Sequence, residues 1–135
     1  MSESIQHRQL VELLFVQALK LIDADTKDFI CLDSLVSSTM PPQTDEGFRP
    51  DLFYCHQKIL IIGEAKTSKD FDTAHSRQQY ESYLKKCSLF QGQAFFLIAV
   101  PWMETAATFN IIQRIRKEYP GNYIVKVHEG IGGVL

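Results

Sequence analysis

No surplus of positive charge marks this chain. Its 14 lysines and arginines stand against 16 aspartates and glutamates, a formal net charge of -2 with a pI near 6.1. The basic footprint normal for a protein that tracks a phosphate backbone is therefore missing. Acidic residues gathered around a cation would inflate the negative count, and the bound ion would reverse the sign locally. Cysteine is scarce too. Cys31, Cys55 and Cys87 are odd in number, widely separated and without any Cys-X-X-Cys spacing, which argues against a disulfide framework and a structural zinc site and for a reducing, cytoplasmic setting. No apolar run approaches the length of a membrane span, and no basic segment followed by an apolar one opens the chain. Neither membrane insertion nor export by a signal peptide is expected, and no internal repeat or low-complexity tract is present.

What is there suits one compact unit. A chain of 135 residues with 45% hydrophobic content is near the common domain size and can fill one core, so residues 1–135 are expected to form a single domain. Leu10, Leu13, Leu14, Ala18 and Leu21 recur at helical spacing and predict a helix over residues 4–22. Residues 28–38, with Phe29, Ile30, Leu32, Leu35 and Val36, read as a strand. Pro41-Pro42 and the polar run from Gln43 to Gly47 stop regular structure and place a mobile, acidic loop, able to contact substrate, just before Asp51. Beyond two further strands come a helix over 73–87, a strongly apolar strand over 93–100 ended by Pro101, a helix over 105–119 and a last strand over 122–127. The order is α-β-β-β-α-β-α-β, an α/β fold with a mixed central sheet flanked by helices.

Two of these strands carry the chemistry. Arg49-Pro50-Asp51-Leu52-Phe53-Tyr54-Cys55 is followed, after a short polar break, by Lys58-Ile59-Leu60-Ile61-Ile62-Gly63-Glu64-Ala65-Lys66. Side chains alternate along a strand, so Glu64 and Lys66 share one face while Gly63 and Ala65 point to the other. Ile59 to Ile62 is apolar on both faces, as in a strand covered on both sides. Charges at the end of a buried strand are costly unless partnered, and a metal ion with an adjacent carboxylate is one arrangement that offsets the cost. The break from Cys55 to Lys58 is too short for a crossover and long enough for a hairpin turn. The strands then pair antiparallel and bring Asp51 beside the end that bears Glu64.

Pro50-Asp51 on one strand and Glu64-Ala65-Lys66 on the next resemble the signature of the PD-(D/E)XK nuclease superfamily. The following helix carries Gln79 and Tyr83 one turn apart, similar to the Gln-X-X-X-Tyr element of RecB-type members. Glu12, in the first helix, is similar in place to the acidic residue many members carry there. The resemblance implies a restriction-endonuclease-like core of the RecB or resolvase type and a metal-dependent nuclease. Asp51, Glu64 and the backbone carbonyl of Ala65 would ligate Mg²⁺ or Mn²⁺, with Glu12 as a further ligand if it faces inward. Asp51, Glu64 and Lys66 would be catalytic, with Lys66 orienting the attacking water or stabilising the transition state, and Gln79 and Tyr83 would orient the site. The expected substrate is DNA, in repair, recombination, mobile-element or defence work, and a small domain implies a homodimer or a larger partner complex on duplex substrates.

Other readings stay open for each group. Asp51 also suits a turn after proline, and Glu64 with Lys66 also suits an ion pair. Glu12 also suits a solvated helix face. Gln79 and Tyr83 also suit packing against the sheet, with Gln78 and Tyr80 as exposed neighbours. His75 reads as a surface residue. Lys85, Lys86, Arg114, Arg116 and Lys117 read either as a solvated face or as a track for phosphates. A catalytically inactive nuclease-fold protein, acting as a nucleic-acid-binding or assembly subunit, is the alternative to the enzyme. A regulatory α/β protein with purely structural charged pairs is the third.

Overall fold

The computed structural model describes residues 4–33 and 39–130. Helix α1 spans Ile5–Leu19 and starts where the Ser4 hydroxyl accepts a hydrogen bond from the His7 amide at 3.0 Å. Its apolar stripe, Leu10, Val11, Leu14 and Ala18, is buried. A 3₁₀ turn at Ala24–Phe29 follows, and then the two-residue strand β1 at Cys31–Leu32. The strand expected over 28–38 is therefore shorter at its start: residues to Phe29 coil into the turn, and Phe29 is left exposed. The part of that expectation over 34–38 lies outside the described residues.

Strands β2 (Leu52–His56) and β3 (Ile59–Ala65) form an antiparallel hairpin. Its turn is Gln57-Lys58, with φ of 49° and 66°, the paired left-handed conformation that matches the twist of a two-residue hairpin. Helix α2 (Ala74–Leu89) is capped by the Thr73 hydroxyl, which accepts from the Ser76 amide. Strand β4 (Gln93–Pro101) leads through a 3₁₀ turn at Trp102–Glu104 into helix α3 (Thr105–Arg116), and strand β5 (Ile124–Gly130) follows. Helix α3 stops short of Tyr119 because Pro120 disfavours helical backbone at the residue before it, and the Glu118 and Tyr119 amides turn back onto Ile115 and Arg116.

The strands make one mixed five-stranded sheet in the order β1-β2-β3-β4-β5. The first three run antiparallel to their neighbours, and β3, β4 and β5 run parallel. Strands β3 and β4 are central, which accounts for their unbroken apolar runs. On one face α1 packs Leu10, Leu14 and Ala18 over Leu52, Ile61, Ala65, Leu97 and Ala99. On the other, α2 and α3 cover Leu60, Ile62, Phe96, Ile98 and Val100 with Tyr80, Tyr83, Leu84 and Ile112. Gly63 sits opposite Leu52 of β2, where a Cβ would lie 3.1 Å from the Leu52 Cβ and in ordinary contact, 3.5 Å, with the Leu14 methyls of α1. Gly92 seats the start of β4, because a Cβ there would fall 2.3 Å from the Lys58 carbonyl oxygen. Among the described residues no helix is long and apolar enough to cross a membrane.

Candidate active site

The hairpin register carries the two motif halves to the same end of the sheet. Leu52 pairs with Gly63, so one step outward Asp51 comes opposite Glu64, on the face that α2 covers. Strand β2 begins only at Leu52, leaving the Ala65 amide without a strand partner on that side, and Asp51 Oδ2 accepts its hydrogen at 2.8 Å. This is the rim at the carboxyl ends of the parallel strands β3, β4 and β5, the end where open α/β sheets place ligands.

Glu64 and Lys66 share a face as strand alternation requires, and Lys66 Nζ lies 3.4 Å from Glu64 Oε2. The same ammonium donates to Gln79 Oε1 from helix α2. Glu64 keeps 4% of its surface, and Asp51 and Lys66 keep 8% each, so all three charges are nearly out of water. Burial is the main force on the Glu64 carboxyl and pushes it up to about 8, with the negative charge of Asp51 adding to the shift and Lys66 opposing it. Glu64 Oε1 is buried and has no hydrogen-bond partner. The Tyr83 hydroxyl is buried and also has none. Its pKa is raised by burial first and then by the nearby charges of Glu64 and Asp51. Tyr83 thus lies close enough to feel Glu64 without making a well-formed hydrogen bond to it.

Five of the seven residues expected at the site converge: Asp51, Glu64, Lys66, Gln79 and, by proximity, Tyr83. Ala65 sits between Glu64 and Lys66 with its side chain in the α1 layer and its amide bound to Asp51. Glu12 is exposed on α1. The α1 residue that reaches the cluster is His7, with Nε2 3.4 Å from Asp51 Oδ2, an ion pair when the imidazole is protonated. Glu12 follows it by five residues, about 140° round the helix at 3.6 residues per turn. Nothing in the residue pattern singled out His7, because its meeting with Asp51 depends on how α1 lies across the sheet. Tyr80, expected to be exposed, is fully buried and donates its hydroxyl hydrogen to the Phe71 carbonyl at 2.7 Å. Only Gln78 of that pair is exposed.

The acidic loop, expected to be mobile, is instead tied to helix α2. The Ser82 hydroxyl donates to Glu46 Oε1 at 2.6 Å and makes a second contact of 2.6 Å with the Thr44 hydroxyl. Lys85 pairs with Glu46 Oε2 at 3.0 Å, so one member of the basic group is neutralised within the chain. Arg116 keeps its charge but is held in place, 4.4 Å over the Tyr123 ring and donating to the Tyr123 carbonyl. His75 is exposed, with its ring edge-on to Phe48 at 5.6 Å.

Among the described residues no trio of His, Cys, Asp and Glu side chains is gathered so as to hold a metal ion. The donors that are present nevertheless suit Mg²⁺ or Mn²⁺: two carboxylates on one rim, one with an unpartnered buried oxygen. Mg²⁺ prefers hard oxygen ligands and keeps several of its waters, so one or two carboxylates are a usual protein contribution. Compared with family models, curated proteins and solved structures, the chain matches none.

Proposed function

We propose that this chain is a Mg²⁺- or Mn²⁺-dependent nuclease with a restriction-endonuclease-like core, acting on DNA in a cytoplasmic setting. The observation that carries the reading is the convergence of Asp51, Glu64 and Lys66, all nearly buried, on one rim, with Glu64 Oε1 unpartnered. A structural ion pair alone would need one carboxylate for the lysine. The second carboxylate raises the pKa of the first, an unfavourable pairing that a divalent cation would relieve.

In this reading Asp51, Glu64 and the Ala65 carbonyl hold the ion. When bound, the ion lowers the pKa of a ligated water and neutralises charge on the scissile phosphate. Gln79 fixes the Lys66 ammonium beside Glu64, where it can orient the attacking water or stabilise charge on the phosphate oxygens. The amide of Ala65 holds the Asp51 carboxylate in place. Tyr83 and the α2 face keep bulk water from Glu64.

One observation favours the alternative, a non-catalytic nucleic-acid-binding or assembly subunit. Lys66 already has both Glu64 and Gln79 as partners, a polar cluster that needs no cation. Incubation of linear, circular, single-stranded and branched DNA with Mn²⁺ separates the two. Cleavage by the wild type and its loss in Lys66→Ala is expected; no cleavage by a folded wild type that also binds no Mn²⁺ leaves the non-catalytic reading.

A further inference from the structure

Three neighbouring strands carry a carboxylate at the same level of the rim. Strand β1 pairs with β2 so that Leu32 lies beside Leu52, and one step outward the Asp33 amide donates to the Asp51 carbonyl at 2.9 Å. Leu52 lies beside Gly63, so the same step puts Asp51 beside Glu64. Residues directly opposite in an antiparallel ladder share a face, and the neighbours say which. Leu32 and Leu52 pack into the α1 layer, whereas Phe53, Leu60 and Ile62 pack into the layer of α2 and α3. Alternation therefore turns Asp33, Asp51 and Glu64 together toward α2. Asp33 is no part of the motif pattern, because only the register of β1 against β2 brings it into this row.

Like charges directly opposite one another weaken a sheet, and this row sets carboxylate against carboxylate twice. Two buried polar atoms meet it without a hydrogen-bond partner: Glu64 Oε1, within the row, and the hydroxyl of Tyr83, fully buried on α2. The Tyr83 pKa is raised by burial first, then by the charges of Glu64 and Asp51 and last by that of Asp33, so the orphaned hydroxyl lies in the field of all three. A divalent cation with its ligated waters supplies both missing things, positive charge between the carboxylates and water for the unpartnered atoms. The width of the row decides how many ions it takes. At a strand spacing of about 4.8 Å the row is about 10 Å long, whereas an ion bound at about 2.1 Å joins oxygens no more than about 4 Å apart. One ion does not span it, in keeping with the absence, among the described residues, of a trio gathered about one point. Ions in the two gaps would lie about 5 Å apart, close to the roughly 4 Å of two-metal sites that act on phosphodiesters. We propose that Asp33 is a further metal ligand, seating with Asp51 a second Mg²⁺ or Mn²⁺ beside the one between Asp51 and Glu64. Asp33 is only partly buried, so this second seat is the wetter and weaker of the two.

Asp33 takes this role only if Asp51 and Glu64 are metal ligands, as the nuclease reading has them, and the test reads metal binding rather than cleavage. Metal-free protein is titrated with Mn²⁺ and followed by calorimetry and by electron paramagnetic resonance. The wild type should bind two ions per chain, one more weakly, and the doubly loaded form should show the broadened spectrum of two coupled Mn²⁺ ions. Asp33→Asn keeps the side-chain shape and the amide that binds Asp51. It should keep the tighter ion, lose the coupled spectrum and bind the second ion roughly tenfold more weakly or not at all. In EDTA its melting temperature should match or exceed that of the wild type, because one like-charge contact is gone. A single ion in the wild type overturns the proposal whatever the variant does, and so do two coupled ions in both proteins. Two coupled ions in the wild type without cleavage of any DNA keep Asp33 as a ligand and remove the nuclease reading. Cleavage with one bound ion, unaffected by Asp33→Asn, does the reverse, and a wild type that binds no Mn²⁺ removes both.

Discussion

Asp51 Oδ2 accepts the Ala65 amide hydrogen at 2.8 Å, so the carboxylate of one motif is held by the backbone of the other. The side chain stands in just before strand β2 begins, completing the hairpin ladder and fixing its own orientation toward Glu64. One residue thereby serves both stability and the proposed chemistry, and the two can be separated by substitution.

Asp51→Asn keeps an acceptor for the Ala65 amide and removes the charge. It should fold with a melting temperature near that of the wild type and lose Mn²⁺ binding measured by calorimetry. Asp51→Ala leaves the buried amide unpaired and should also lose roughly 1–3 kcal/mol of stability by chemical denaturation. Equal Mn²⁺ affinity in all three proteins would remove Asp51 from the metal set.

Glu64 makes stability depend on pH in a stated direction. Its carboxyl is raised in the folded protein to about 8 from an ordinary 4.5. The folded state therefore holds a proton that the unfolded chain releases, and the contribution is complete below about pH 4.5 and lost as pH rises toward 8. Without metal, the wild type should lose stability over that window relative to Glu64→Gln, whose curve should be flatter. A wild-type curve parallel to that of Glu64→Gln would show that Glu64 titrates normally.

Metal uptake should run the other way. A cation needs the Glu64 carboxylate ionised, so Mg²⁺ or Mn²⁺ should displace the proton when it binds near pH 7. Calorimetry in buffers of different ionisation enthalpy should report release of close to one proton, and affinity should strengthen from pH 6 to pH 8. Absence of proton release would place the cation away from Glu64.

Gln79 acts on Lys66, and its loss should be graded rather than total. Gln79→Ala removes the acceptor that holds the ammonium and should lower kcat about 10–100-fold with little change in KM, as for a group that positions a charge used in the transition state. Lys66→Met should remove activity more completely. Equal activity of Gln79→Ala and the wild type would make the contact structural only.

Ser82 joins the acidic loop to α2. Its hydroxyl is buried between Thr44 and Glu46, and Ser82→Ala should cost about 1 kcal/mol in chemical denaturation. Amide exchange in residues 44–48 should then speed up more than exchange in strand β3. Unchanged exchange there would show that the loop holds without this link.

The amino-acid sequence was enough for the element order, because the period of apolar residues tells helix from strand, and Pro101 and Pro120 mark where β4 and the third helix stop. The unbroken run from Ile59 to Ile62 marked a central strand, the short polar break before it marked a hairpin, and alternation put Glu64 and Lys66 on one face. These are local properties of a chain with fixed geometry. Contacts between elements distant in the chain were beyond its reach. That His7 rather than Glu12 meets Asp51 depends on how α1 lies across the sheet, with Leu10, Leu14 and Ala18 packed over Ile61, Ala65 and Leu97. That Tyr80 is buried and that Glu46 is latched by Ser82 and Lys85 likewise follow from the packing of distant segments. Periodicity names the face a side chain takes on its own element, but only the packed core decides what that face meets.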